Sequence, residues 1–345
     1  MESSELLLSA PHLPGLDHPF DRFQRHRDVQ IVVTRMAAAL GRARLRVLDV
    51  GGVELTQQFI PEHDIVVTNL TCDPLSSVQS SGAALPFADQ SFDVVLTVDT
   101  LEHIPPADRE DFLAEMVRVA KHFVLITGPF ASPINDEAER LLDDYIYTTT
   151  GQHHYFLAEH LKFGLPVLHT TVAQLEGSGC QSIIVPSGYT PRWLTMMLLR
   201  FTLPDTEYGR RTNAWLEKVY NHQFYWADHC EPSYRQIVVA AKQGDIGAVQ
   251  DVVDLFAEGK TAFGEPEFDH LLALWQATSV RQALADYEQI IANLQAQHTQ
   301  MEARISGLES GYFMRTMAKL HSLRQWVRDA VIPTLREPSP PEAHR

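Results

Sequence analysis

Cysteine is scarce in this chain. Cys72, Cys180 and Cys230 are the only three in 345 residues, and their wide spacing fits neither a disulfide framework nor a zinc-binding repeat. Long apolar runs are missing as well, so no segment reads as a membrane span. The opening MESSELLLSA lacks both the basic flank and the apolar length of a secretory signal. These absences lead us to expect a cytoplasmic protein with no metal site. Basic residues are outnumbered 28 to 44, a formal net charge of −16, which argues against a nucleic-acid backbone as partner because phosphate binding needs a net basic face. No GxGxxG follows the first expected strand, which sets aside a nicotinamide-dependent oxidoreductase.

What is present is a chain longer than the usual single domain, so one sizeable core plus an appendage is expected. Its most informative stretch is AALPFADQSFDVVLTVDTLEHIP, Ala83 to Pro105. Phe92 to Val98 has the length and β-branched content of a strand covered on both faces, hence a central parallel strand. Asp99, Glu102 and His103 follow where that strand ends, and in open α/β sheets ligands bind beyond the carboxyl ends of strands. A second short strand, from Leu45 to Val50, carries Asp49 and runs into Gly51 and Gly52. Glycine there lets backbone amides approach a ligand closely.

Together these segments resemble the class I S-adenosylmethionine-dependent methyltransferases, in particular the small-molecule subgroup called type 11, over Phe20 to Lys242. The resemblance rests on VLDVGG at Val47 to Gly52 and LPFADQSFDVV at Leu85 to Val95. It extends through LEHIP at Leu101 to Pro105 and FLAEMVRVAKHFVLITGPF at Phe112 to Phe130. It implies an α/β fold: a seven-stranded, mostly parallel, doubly wound Rossmann-like sheet with helical insertions, here followed by a C-terminal helical coiled coil. It also implies S-adenosylmethionine as cofactor, held by Asp49, Gly51, Gly52, Asn69, Gly82, Ala83, Leu85, Asp99 and Leu101. Two departures stand out. The family's first loop alternates three glycines, whereas Gly51 alone fits that pattern here, with Gly52 extra and Val53 and Leu55 at the later positions. The family's acid at the end of the second strand is replaced by Asn69, with Asp73 a candidate substitute.

The remaining chain divides by composition. Residues 1–20 read as an irregular lead and Asp21 to Leu40 as a helix with Val29, Val32, Val33, Met36 and Leu40 on one face. In the resembling family that helix closes over the cofactor, which makes Phe20, Phe23 and Arg25 candidate lid residues; ordinary helix packing and solvation is the other reading. A fifth strand is expected at Phe123 to Thr127, a sixth at Gly179 to Pro186 and a seventh at Arg235 to Lys242, all within a methyltransferase domain at 21–242. Insertions at 131–170 and 187–234 are candidate acceptor covers, although the aromatics of the second read more simply as a helical subdomain with its own core. Residues 243–280 read as a helical linker. Leu284, Tyr287, Ile291, Leu294, His298, Met301, Ile305 and Leu308 alternate steps of three and four, a coiled-coil seam within 281–310. A basic amphipathic helix at 311–336 is a candidate for peripheral contact with an anionic membrane, with a solvated terminal helix as the alternative. The tail at 337–345 is proline-rich and expected to be disordered.

Methyl transfer to a hydroxyl needs a base, and histidine suits that task at neutral pH. His154, in the first insertion, is the first candidate and His103 the second. Asp99 could meet the cofactor's amino group through its backbone or its carboxylate, while Glu102 reads as a helix-dipole partner. The expected activity is O-methylation of a small molecule or a cell-surface glycan sugar. The glycan enters because the coiled coil plus basic helix resembles tails on bacterial enzymes of surface-polysaccharide assembly. A catalytically silent methyltransferase-like head on a coiled-coil scaffold is the alternative. The expected partners are thus a small-molecule or glycan acceptor, no nucleic acid, and a second copy or coiled-coil partner through 281–310. The inner membrane face is a candidate peripheral location through 312–336.

Overall fold

The computed structural model describes residues 15–52, 55–71, 78–202, 206–242, 246–258 and 264–331. Val53, Cys72 and Asp73, most of the lead and the 337–345 tail lie outside the described residues.

Seven strands form one sheet: β1 (Arg46–Val50), β2 (Asp64–Asn69), β3 (Val78–Gln79), β4 (Phe92–Val98), β5 (Ala120–Pro129), β6 (Gln181–Tyr189) and β7 (Ser233–Ala241). Their order is β3-β2-β1-β4-β5-β7-β6. Strands β1 to β5 pair in parallel, and β7 runs antiparallel between β5 and β6. The expected seven-stranded, mostly parallel sheet is thus present. β1 and β4 are apolar on both faces because both faces are covered: Val47, Val94 and Leu96 enter one core, while Leu48 and Val95 enter the other.

The first core is closed by α1 (Phe20–Ala39), through Val29, Val32 and Met36, and by the short α2 (Leu55–Phe59). The second is closed by α3 (Arg109–Val119), through Phe112, Leu113 and Met116. Phe20 and Phe23 are each 1% exposed, so they are core residues and not the lid that the resemblance suggested. Leu55 is also buried in the first core, with Phe59.

The LPFADQSFDVV segment owes its shape to two clamps. Arg118 on α3 donates to the carbonyls of Leu85 (3.0 Å) and Phe87 (2.8 Å), and Glu115 accepts from the Leu85 amide at 2.7 Å. Asp93 accepts from the Arg46 amide at 2.9 Å and pairs with Arg42, which pins β4 to the start of β1.

After β5 come α4 (Pro133–Thr150), α5 (Tyr155–Phe163) and α6 (Leu168–Gly177); between β6 and β7 come α7 (Thr190–Thr202) and α8 (Glu207–Gln223). Ser132 caps α4 by accepting from the Asn135 amide, and Gly151 ends it with φ +75°. These insertions share a third core, in which Leu142, Leu157, Trp193, Tyr220 and Phe224 pack together. Trp193, Tyr220 and Phe224 thus build the core of a helical subdomain with Phe201 against it, while Tyr225 and Trp226 pack on the first core and Tyr147, Tyr155, Phe156 and Trp215 are exposed. Buried Asp28 of α1 ties it to the sheet, accepting from Tyr225 (2.7 Å) and Ser187 (2.6 Å) and pairing with His229 (2.9 Å).

Beyond β7 lie α9 (Asp251–Glu258), α10 (Glu265–Ser310) and α11 (Tyr312–Val331). The start of α10 is more than a linker, because Phe268, Leu271 and Trp275 complete the third core. The chain divides into two units, 1–277 and 278–345. In the second, Leu284, Tyr287, Ile291, Leu294, Met301 and Ile305 are all exposed. Among the described residues no helix is long and apolar enough to cross a membrane.

Candidate active site

The strand order reverses direction between β1 and β4, and a ligand crevice is expected beyond their carboxyl ends. Asp49 sits there, fully buried; among the described residues no hydrogen bond of good geometry reaches its carboxylate oxygens, although the Thr56 hydroxyl is near enough to draw its pKa down by less than burial raises it. Burial lifts its pKa from the ordinary 3.8 to about 7. An orphaned buried carboxylate is costly unless a ligand or loop brings donors to it.

The two glycines beyond it are there for want of space. Gly51 has φ +78°, and a Cβ on it would lie 2.4 Å from Thr100 Cγ2. A Cβ on Gly52 would lie 2.1 Å from the Asp49 carboxyl carbon. Gly52 is therefore no surplus to the family's loop: the backbone passes directly over Asp49 and admits no side chain. Leu55 reaches the core and not the crevice, so one of the two bulky substitutions is absorbed by packing.

Asn69 ends β2 beside this loop. Its Nδ2 lies 3.5 Å from the Gly52 carbonyl, and its Oδ1 accepts from the Leu70 amide at 2.8 Å. Gly82 packs against the Phe112 ring, which a Cβ would meet at 2.3 Å. The Ala83 amide donates to Ser81 Oγ at 3.2 Å, and Leu85 and Leu101 are buried in the second core. The buried Asp49 carboxylate lies under a glycine loop whose backbone, with the Asn69 amide at the β2 end, offers polar groups to a nucleoside bearing an aminocarboxylate arm.

Asp99 behaves otherwise. It has φ +44°, and its carboxylate accepts from Arg235 Nε (2.9 Å) and Nη2 (2.7 Å) and pairs with Arg25. Burial pushes its pKa up, but the two guanidiniums outweigh burial and hold it below the ordinary carboxylate range. Of the two expected modes of ligand contact, the carboxylate one is committed to these arginines. Arg25, a candidate lid residue, is held in the same triad.

Next to it, Glu102 is 1% exposed and its Oε2 has no partner among the described residues. It sits in a 3-10 turn, Leu101–His103, and its pKa is pushed well up by burial and by the Asp99 charge. The expected helix-dipole partner is thus a buried acid in a three-residue 3-10 turn. His103 Nδ1 lies 2.9 Å from Glu159 Oε2 of α5, and its Nε2 lies 3.4 Å from His160 Nε2.

His154 precedes α5. Its amide donates to Asp143 at 2.9 Å, its ring leans on Phe156 and Phe201, and its Nδ1 is buried without a partner among the described residues. Burial lowers its pKa, so the ring is neutral near pH 7. Burial likewise lowers that of His103. Local sequence carries no sign of Glu139, Glu159 or Arg235, which come from distant segments. His160 is brought beside His103 by α5.

Residues 33–124 match the model of the family described as a methyltransferase domain. No curated protein matches the chain. Among solved structures, the chain is similar to the YcgJ protein from Bacillus subtilis at 16% identity and TM-score 0.35, covering 62% of this chain and 98% of that one. It is similar to a 1,6-didemethyltoxoflavin-N1-methyltransferase from Burkholderia thailandensis at 12% identity and TM-score 0.37, covering 63% and 79%. It is also similar to a magnesium protoporphyrin IX methyltransferase from Synechocystis at 11% identity and TM-score 0.37, covering 70% and 94%. These likenesses are distant, and the assignment stands on the domain match and the sheet order: the stretch around residues 33–124 is a methyltransferase domain of the S-adenosylmethionine-dependent kind.

Proposed function

We propose that the chain transfers a methyl group to a hydroxyl of a small molecule or a cell-surface glycan sugar, with His154 as general base. When bound, the cofactor supplies an electrophilic methyl carbon on a sulfonium. The protein's share is positioning and proton removal. Asp49, under Gly51 and Gly52, receives hydrogen bonds from the cofactor end or from the amides that hold it. Asn69 would offer its amide to the ribose, and Gly82, Ala83, Leu85 and Leu101 would line the cofactor's side of the crevice. The backbone of Asp99 completes the crevice, its carboxylate being held by Arg25 and Arg235.

The observation that carries the reading is His154: a neutral imidazole in the insertion after β5, with Nδ1 desolvated and unpaired among the described residues. A neutral ring with a free lone pair accepts a hydroxyl proton, whereas an amine acceptor has a lone pair of its own. His103 is the poorer base, since Glu159 engages its Nδ1 and its Nε2 faces His160 Nε2 at 3.4 Å.

The test has two arms. Mass spectrometry of small molecules released from purified protein should find S-adenosylhomocysteine, and calorimetry should show saturable binding that Asp49→Ala abolishes. With a labelled methyl donor, hydroxyl acceptors including sugars should be methylated while amines are not, and His154→Ala should lower kcat by about 10²- to 10⁴-fold with unchanged cofactor affinity. Wild-type turnover in His154→Ala would end the base assignment. The glycan reading leans on the tail, whose apolar seam we propose is covered by a second copy of the chain and whose 312–336 segment would rest on an anionic membrane face.

A further inference from the structure

The turn after β4 and the helix α5 bring together three side chains that the sequence keeps far apart: Glu102, His103 and His160, whose ligand atoms all lie within 4.8 Å of one another. Each imidazole is held from behind by a carboxylate. His103 Nδ1 is 2.9 Å from Glu159 Oε2, and His160 Nδ1 is 2.7 Å from Glu139 Oε1. Glu139 is oriented in turn by the Tyr234 hydroxyl, which donates to it at 2.6 Å. A neutral ring that gives its Nδ1 proton to a carboxylate keeps a lone pair on Nε2. Here both Nε2 atoms face each other at 3.4 Å, and Glu102 Oε1 lies 4.0 Å from His103 Nε2. Three atoms able to act as ligands thus converge. A single shared proton would satisfy the two rings and leave Glu102 unanswered, since its Oε2 lacks a partner among the described residues.

We propose that Glu102, His103 and His160 bind one divalent transition metal ion of the zinc class. Two imidazoles and a carboxylate are a borderline-soft donor set that suits Zn²⁺. At Zn–N distances of about 2.0–2.1 Å, the edge of a tetrahedral centre is about 3.3–3.4 Å, whereas right-angled octahedral ligands at the same distances stand only about 2.8–3.0 Å apart. The 3.4 Å between the two Nε2 atoms matches the tetrahedral edge, while the Glu102 oxygen stands wider, at 4.0 Å from His103 Nε2, and has to move in to complete it. Glu159 and Glu139 supply the outer hydrogen bonds that fix ring orientation in such sites and raise the basicity of the ligands. Three protein ligands leave one position open, and His103, with 23% of its side chain exposed, lies on the accessible side of the cluster. An acceptor hydroxyl taking that position would be polarised by the metal; this role rests on the methyl-transfer reading, while metal binding does not.

Untagged full-length protein, dialysed against chelator and then desalted, is titrated with Zn²⁺ against a chromophoric competitor and with Co²⁺ read by its visible ligand-field absorption. One equivalent should bind, and Co²⁺ should give the intense band of a tetrahedral centre. Glu102→Gln and His160→Ala should abolish stoichiometric uptake, and Glu139→Gln should keep the stoichiometry but weaken affinity by about 10- to 100-fold. Where circular dichroism shows His160→Ala unfolded, His103→Ala at the half-buried position serves in its place. Absence of uptake by the wild type, or wild-type affinity in Glu102→Gln and the histidine variant, would overturn the site. S-adenosylhomocysteine calorimetry on the same samples separates the two readings: metal uptake without nucleoside binding leaves this site standing and removes the methyl-transfer reading.

Discussion

At the scale of single residues, Asp49 sets function against stability. Its pKa in the fold is about 7 against an ordinary 3.8, because burial disfavours the anion. Between pH 4 and 7 the unfolded chain gives up this proton while the folded one keeps it. Native stability therefore falls as pH rises through that window, and the loss is complete above the folded value. Three pH units correspond to on the order of 4 kcal/mol. Asp49→Asn carries no such loss, so its melting temperature should overtake that of the ligand-free wild type progressively from pH 5 to pH 8, while its affinity for S-adenosylhomocysteine collapses. A constant gap between the two melting curves across that range would show that Asp49 is not the buried acid described. Gly52→Ala belongs to the same scale. Its Cβ has nowhere to go but the Asp49 carboxylate, so calorimetry should find cofactor binding lost even where the variant stays folded.

At the scale of elements, β1, β4 and β5 were legible in the sequence because short, β-branched apolar runs bounded by polar turns read as strands buried on both faces. The helix expected at Asp21 to Leu40 appears at Phe20–Ala39 for the same kind of reason, a one-sided apolar period. The crevice was half legible: Asp49 and the glycine pair announce themselves, but the triad Arg25–Asp99–Arg235 does not. Its members are separated by 74 and 136 residues, and ion pairing at that range leaves no local pattern. Glu102 was misread for a related cause, since nothing in a sequence distinguishes an acid at the surface of a turn from one folded beneath it. The triad joins α1, the end of β4 and β7, and its side chains are largely buried. Asp99→Ala would leave Arg235 buried beside Arg25 without their shared anion, a change worth about 3–5 kcal/mol. The urea midpoint should fall accordingly, and replacing Arg235 with Met in the Asp99→Ala background should recover part of it. Additive losses in that double variant would mean the two groups do not interact.

At the scale of the whole molecule, the exposed apolar residues of the head are scattered over several elements, whereas those of the tail include one regular stripe. Along α10 the side chains of Leu284, Tyr287, Ile291, Leu294, Met301 and Ile305 are each half exposed or more, on a spacing of three and four that presents them along one stripe. Burying each fully would contribute about 1.5–3 kcal/mol, enough in sum to hold two helices against the entropy of association. Pairing also brings together two chains of net charge −16, so added salt should strengthen association by screening repulsion while leaving the apolar seam intact. His298, the one markedly polar member of the stripe, is 74% exposed in its side chain. Its replacement by Leu should tighten association while loosening the choice of register and oligomer number. Analytical ultracentrifugation at micromolar concentration should therefore find a dimer that becomes monomeric when residues 281–310 are removed, with cofactor affinity of the head unchanged. A full-length chain that sediments as a monomer, indifferent to that deletion, would mean that the stripe is not used for self-association.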